Sequence, residues 1–121
     1  MPSNKGMDWI RLEKRMAIYA RDGFHCIWCK APARDNLGYG LTLDHVYVDG
    51  SNKHYNLVTC CVSCNSARQR LLLQDWLETI SKRTWQPQEL IAHRVLVALG
   101  TPLDLATGKQ LARNRRPSKA A

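Results

Sequence analysis

"LTLDHVYVDGSNKHYNLVTCCVSCNSAR", running from Leu41 to Arg68, decides how the rest of the chain is read. "LTLDHVYV" alternates and is rich in β-branched residues, which predicts a strand. "DGSN" has the chemistry of a turn or short loop. From about Val62 the apolar period becomes helical. A strand, a loop and a helix thus follow one another closely. The same stretch holds an Asp-His pair, Asn56, Asn65 and the three cysteines Cys60, Cys61 and Cys64. Hard oxygen donors and soft thiols suit different metals. One structural and one catalytic metal would explain the crowding.

The thiols speak first. Five cysteines is an odd number, which argues against a disulfide framework. Four of them form two C-x-x-C pairs, Cys26/Cys29 and Cys61/Cys64. Each pair places two thiolates on one tight turn, and zinc takes four ligands tetrahedrally. The expectation is a structural Zn²⁺ site. A thioredoxin-like C-x-x-C needs only one pair and a βαβ context, which is not seen. A cluster of ordinary buried cysteines is the blander alternative. Cys60 could replace Cys61 only with a less regular spacing, so it reads as a small buried residue. The long gap between the two pairs requires an inserted element.

A chain of 121 residues makes about one domain. At that size a metal staple adds usefully to a modest core. The net charge of +8 points to an anionic polymer as partner. No apolar run approaches the roughly 20 residues that a membrane helix needs, and the start "MPSNKGMDWIRLEKRM" lacks the apolar core of a signal peptide. The expected location is therefore cytoplasmic, with no membrane partner.

Outside the central stretch, Met7 to Ala20 reads as an amphipathic helix with Trp9, Leu12, Met16 and Tyr19 on one side, ended by Asp22-Gly23. "FHCIWCK" reads as a short strand entering the first knuckle, and "APARDNLGYG" as loop. The helix begun near Val62 is expected to run to Lys82, with Leu72, Leu73, Trp76, Leu77 and Ile80 as its stripe. "WQPQELIAHRVLVALGTP" gives a further helix, with Leu90, Ile91, Val95 and Leu99 on its face. The end, "GKQLARNRRPSKAA", reads as a frayed basic tail contacting phosphates through Lys109, Arg113, Arg115, Arg116 and Lys119. The expected organisation is 1–83 as the functional domain and 84–121 as a helical extension and tail of the same compact unit.

These pieces, in this order, resemble the HNH endonuclease family. The resemblance is carried by "CIWC", "LTLDHV" and "NLVTCCVSCN" and covers about residues 15 to 75. It implies an α+β fold: a ββα-metal (His-Me finger) core stapled by the four-cysteine zinc site, with flanking helices. It implies a metal-dependent DNA endonuclease, a phosphodiester hydrolase that nicks or cuts both strands. His45 would be the general base. Asn56 would brace the loop and so orient His45. Asp44 and Asn65 would hold one catalytic divalent cation, Mg²⁺ or Mn²⁺. Cys26, Cys29, Cys61 and Cys64 would be the zinc ligands. Small stand-alone proteins of this kind resemble phage or prophage genes, which adds a phage packaging protein or a homodimer partner as possible company for DNA.

The chemistry is consistent with that reading. Hydrolysis of a phosphodiester needs an activated water and a neutralised phosphate. Histidine, with an ordinary pKa of about 6.5, can accept the proton at neutral pH. A carboxylate and an amide oxygen suit Mg²⁺ or Mn²⁺ rather than zinc. Arg68, three residues after Asn65 on the helix, is expected to clamp phosphate, with Arg70 and Lys53 as further DNA contacts. Adjacent strand residues point to opposite faces, so the backbone should leave regular β geometry near His45. The loop "VYVDGSNKHY" departs from the family pattern by lacking a proline and paired glycines. His54 in that loop reads as a surface histidine. His25 and His93 receive no catalytic role, and Tyr47 and Tyr55 read as packing aromatics. The rival readings are a zinc-stapled DNA-binding module with a dead site, and a partner-dependent packaging accessory that does not cleave alone.

Overall fold

The computed structural model describes residues 10–35 and 37–115. Among these the chain is a mixed α+β fold. The elements in order are α1 (Leu12–Arg21), β1 (Leu41–His45), a 3₁₀ turn (His54–Asn56), β2 (Leu57–Cys61), α2 (Val62–Arg68), α3 (Leu73–Thr84), α4 (Gln88–Gly100) and α5 (Leu105–Arg115). No single described helix is long and apolar enough to cross a membrane.

β1 and β2 pair antiparallel, with Leu41 opposite Cys61 and His45 opposite Leu57. The pleat sends alternate residues to opposite faces, and each face has its own core. Leu41, Leu43 and Leu57 pack with Met16, Ile18 and Tyr19 of α1. Val46, Val58 and Cys60 pack with Trp28, Trp76 and Ile91 on the other side. Fully burying side chains of this size contributes about 1.5–3 kcal/mol each.

Polar bonds tie α1 to the hairpin. The Asp22 carboxylate accepts the Thr59 N–H at 2.8 Å. Arg21 pairs with Asp22 at 2.7 Å and donates to the carbonyls of His54 and Leu57 at 2.9 and 2.7 Å. Gly23, at φ 72, then turns the chain away, as the Asp-Gly signal predicts. Trp9 of the predicted helix lies outside the described residues, and so do Arg116 and Lys119 of the predicted tail.

Several expectations are corrected. "FHCIWCK" is not a strand: its only strand-like feature is an isolated bridge from His25 to Pro32, and the rest is turn. The helix from Val62 does not reach Lys82. It stops at Arg68, Gln69 takes φ 51, and α3 starts afresh at Leu73. Leu72 and Leu90, both assigned to apolar stripes, are exposed.

The basic tail is corrected too. Residues up to Arg115 form α5, which lies against α1 with Ala112 buried. The approach is close because position 108 is glycine. A Cβ there would collide with the Glu13 carbonyl oxygen and lie 2.8 Å from the Ala17 Cβ. Arg115 is not frayed either: it donates to the Leu37 carbonyl at 3.2 Å and stacks 4.2 Å from the Tyr39 ring centroid. Gly108→Ala should therefore cost about 1–3 kcal/mol, the penalty of overpacking, despite alanine's better helix propensity. Urea denaturation measures this. An unchanged or raised midpoint would mean that α5 does not depend on this contact.

Candidate metal centre and the strand end beside it

Cys26 and Cys29 come from the turn after α1, and Cys61 and Cys64 from the junction of β2 with α2. Their four sulfurs all lie within 4.8 Å of one another. Cys29 Sγ and Cys61 Sγ are 3.7 Å apart. A disulfide would need about 2.05 Å. Thiolates about 2.3 Å from a tetrahedral zinc sit about 3.8 Å from each other, so the spacing fits a bound ion. The turns are built for it. The Ala31 N–H points at Cys29 Sγ and the Cys64 N–H at Cys61 Sγ, both at 3.4 Å. The second bond also makes Cys61 the N-cap of α2. Lys30 takes φ 70 so that its N–H can reach the Cys26 carbonyl at 2.9 Å and close the first knuckle.

Charge gives an independent argument. Cys26 is held well below the usual thiol range by hydrogen bonds from Cys60 and Cys64. Those same bonds, with burial, push Cys60 and Cys64 far up. Burial and the Cys26 charge push Cys29 up to about 11. Burial and the Cys26 charge thus oppose further thiolates at Cys29 and Cys64, and a bound cation would relieve both. Arg94 is the nearby protein cation: it anchors the first knuckle by donating to the carbonyls of Ile27 and Trp28 at 2.7 and 3.1 Å. Cys60 is buried and outside the quartet. These four cysteines can hold a structural metal such as zinc.

On the α2 side of the sheet sits Asp44, 8 % exposed. Its Oδ2 accepts the Trp28 indole N–H at 3.1 Å and the Arg68 guanidinium at 2.9 Å. Its Oδ1 accepts nothing among the described residues. Burial raises the Asp44 pKa, and Arg68 pulls it back only in part. Arg68 itself is fully buried. It also donates to the carbonyls of His45 at 2.6 Å, Val46 at 2.8 Å and Leu71 at 3.2 Å. The expected phosphate clamp at Arg68 is therefore corrected: its fork is consumed inside the protein, holding the end of β1 to the end of α2. Arg70 is exposed and pairs loosely with Asp49 at 3.3 Å, and Lys53 is exposed.

β1 ends at His45, where regular β geometry stops and the chain bends through Val46 and Tyr47. The His45 ring meets the Asn52 side-chain oxygen through Nε2 at 2.7 Å. Asn56 is buried and spans the loop. Its Oδ1 accepts the Tyr47 N–H at 2.9 Å, and its Nδ2 donates to the carbonyls of Tyr47 and Ser51 at 3.1 and 2.9 Å. Gly50 is required there, since a Cβ would strike the Asn56 amide. Asn56 thus sets the path of the loop that carries Asn52, and Asn52 touches His45.

Asn65 is exposed on α2, one turn before Arg68. Asp44 is gathered with Trp28 and Arg68, while His45 is gathered with Asn52. No hydrogen bond joins Asp44, His45 and Asn65 among the described residues. Sequence reasoning missed Trp28 and Asn52. Trp28 stood between two cysteines of the quartet, and a buried indole needs an acceptor for its one N–H. Asn52 was hidden in "DGSN" as a turn residue.

The class this defines is an α+β fold with a hairpin–helix unit laced by four clustered cysteines that could hold a metal. Compared with family models, with curated proteins and with solved structures, the chain has no significant match.

Proposed function

We propose that this protein is a metal-dependent DNA endonuclease of the HNH type. The observation that carries the reading is the order of groups on one hairpin–helix unit: Asp44 and His45 end β1, Asn56 spans the loop, and Asn65 rides on α2. A module that only binds DNA needs no such set. In this reading the cysteines hold structural zinc, and Asp44 and Asn65 hold the catalytic cation. The donors suit such a cation, because Asp44 Oδ1 and the Asn65 amide oxygen are hard ligands. A bound divalent cation would supply charge neutralisation at the scissile phosphate and at the leaving oxygen.

The chain's own residues do the rest. His45 takes the proton from the attacking water. Asn52 holds the imidazole in one orientation, and Asn56 holds the loop that presents Asn52. Arg68 fixes the carbonyls of His45 and Val46, so both side chains leave the strand end at set angles. One such site cuts one strand, and a second cut requires a second turnover or a homodimer.

Supercoiled plasmid tests the reading, with zinc-loaded wild type and His45→Ala in Mg²⁺, in Mn²⁺ and without added divalent ion. Nicked or linear product that needs the ion and disappears in the variant is expected. One observation favours the DNA-binding reading instead: Oδ2 of Asp44 is already committed to Arg68 and Trp28. A folded protein that binds DNA but cuts under no condition would select that reading, or a packaging accessory that cleaves only with its partner.

A further inference from the structure

With Arg68 buried, the protein's excess positive charge must meet DNA elsewhere. The start of α1 and the start of α5 enclose a groove lined by Arg11, Lys14, Lys109, Glu13 and Leu105. Arg11 and Lys109 are exposed. α5 contains no acid at all, and Asp104 just before it is turned onto the Thr107 hydroxyl and N–H. Glu13 is the one carboxylate in the groove wall, and it already has a partner.

The groove leads to the strand end. Lys14 Nζ donates to the Asn52 carbonyl at 2.6 Å, and the Asn52 side chain contacts His45 at 2.7 Å. Lys53 and His54 continue the same surface. Burial and the charge of Lys53 lower the Lys14 pKa. Burial and the charges of Arg21, Lys14 and Lys53 lower that of His54. The ammonium groups of Lys14 and Lys53 therefore face one another here, beside a His54 kept neutral, an arrangement that works against the isolated fold and favours an anionic partner. Arg21 is not part of the free surface, because its own fork is held by Asp22 and two carbonyls.

We propose that the groove between α1 and α5, continued by Lys53 and His54, is the track on which the phosphate backbone of DNA docks and is led to His45. The cations form a row along the surface rather than a cage of buried donors. A small anion would gain from one or two of them, whereas a polyanion gains from each through released counterions. This rests on the nuclease reading for what happens at His45, but the docking itself does not need cleavage.

The test uses zinc-loaded protein carrying His45→Ala, so that labelled duplex DNA is bound without being cut. Arg11→Gln with Lys109→Gln removes two charges from the groove. Lys82→Gln with Arg83→Gln removes two exposed charges from α3, which packs against the other face of the sheet. The groove pair should weaken binding on the order of tenfold at about 0.1 M salt, and should flatten the dependence of log affinity on log salt by about 2. The α3 pair should change both far less. Equal losses in the two pairs, or no loss in the groove pair, overturn the track. If the groove pair with His45 restored still binds like wild type while plasmid is cut with the expected requirement for metal and His45, docking fails and the nuclease reading stands. If the protein neither binds nor cuts DNA, both fail.

Discussion

Cys61→Ser is expected to leave the chain largely unfolded at room temperature and without bound zinc. The substitution is chosen because it spares the local structure. Cys61 Sγ is the N-cap acceptor of α2, taking the Cys64 N–H at 3.4 Å. Serine is among the best N-cap residues, so the cap survives the change. What is lost is one thiolate of four. Structural zinc contributes about 10–16 kcal/mol in small metal-dependent folds, and a domain of this size has about 5–15 kcal/mol in total. The knuckles also cross-link parts far apart in sequence, the turn after α1 and the junction of β2 with α2. Circular dichroism with metal analysis reads the outcome. A metal-free variant that melts at the wild-type temperature would reduce the quartet to ordinary packing. Because each ligand must lose its proton, zinc affinity should fall on acidification, and stability with it. Chelation of the wild type should reproduce the variant's spectrum.

How far the sequence reaches depends on what kind of signal each feature leaves. The clustering of the four cysteines was legible because two C-x-x-C pairs state both candidate ligands and turn geometry. β1 was legible because a period of two and a turn cluster sit side by side, although it stops at His45, before the predicted end; β2, Leu57–Cys61, was implied only by the ββα resemblance. The break between α2 and α3 was not. It falls at Gln69, which takes φ 51 with no glycine or proline to announce it, and the apolar stripe reads straight through it. α5 was misread for another reason. Its contact with α1 is made by Gly108 and Ala112, which carry almost no hydrophobic signal, while its basic residues draw attention to solvent. Small residues at a close helix crossing are visible only once the partner helix is in place.

Arg68 was the deepest misreading, and it gives the second large effect: Arg68→Ala should destabilise the protein by about 3–5 kcal/mol, the range for breaking a buried ion pair from one side. A helix arginine three residues after Asn65 looks like a solvated or phosphate-binding side chain. Instead its guanidinium lies 5.5 Å from the Trp28 ring centroid and donates to Asp44 and three carbonyls. Alanine would leave those carbonyls short of a donor and the Asp44 carboxylate buried without its cation. Lysine should not rescue it, because a point charge cannot replace the fork. The pH dependence has a definite sign. Burial already raises the Asp44 pKa above its ordinary value, and Arg68 opposes that rise. Without Arg68 the folded-state pKa climbs further, so the native variant holds a proton that the unfolded chain releases. Asp44's own contribution to stability is therefore largest below the ordinary carboxylate pKa of about 3.9 and declines as pH rises above it, opposite in sign to the loss of zinc on acidification. Adding Asp44→Asn should return part of the loss at neutral pH, with a coupling of about 0.5–3 kcal/mol between the two sites. Urea titrations of the single and double variants across pH measure all three effects. A loss under about 1 kcal/mol for Arg68→Ala, the size expected of an exposed pair, would return Arg68 to the surface and free it for phosphate. A loss of the expected size makes it the residue that fixes where β1 ends, and so where Asp44 and His45 stand.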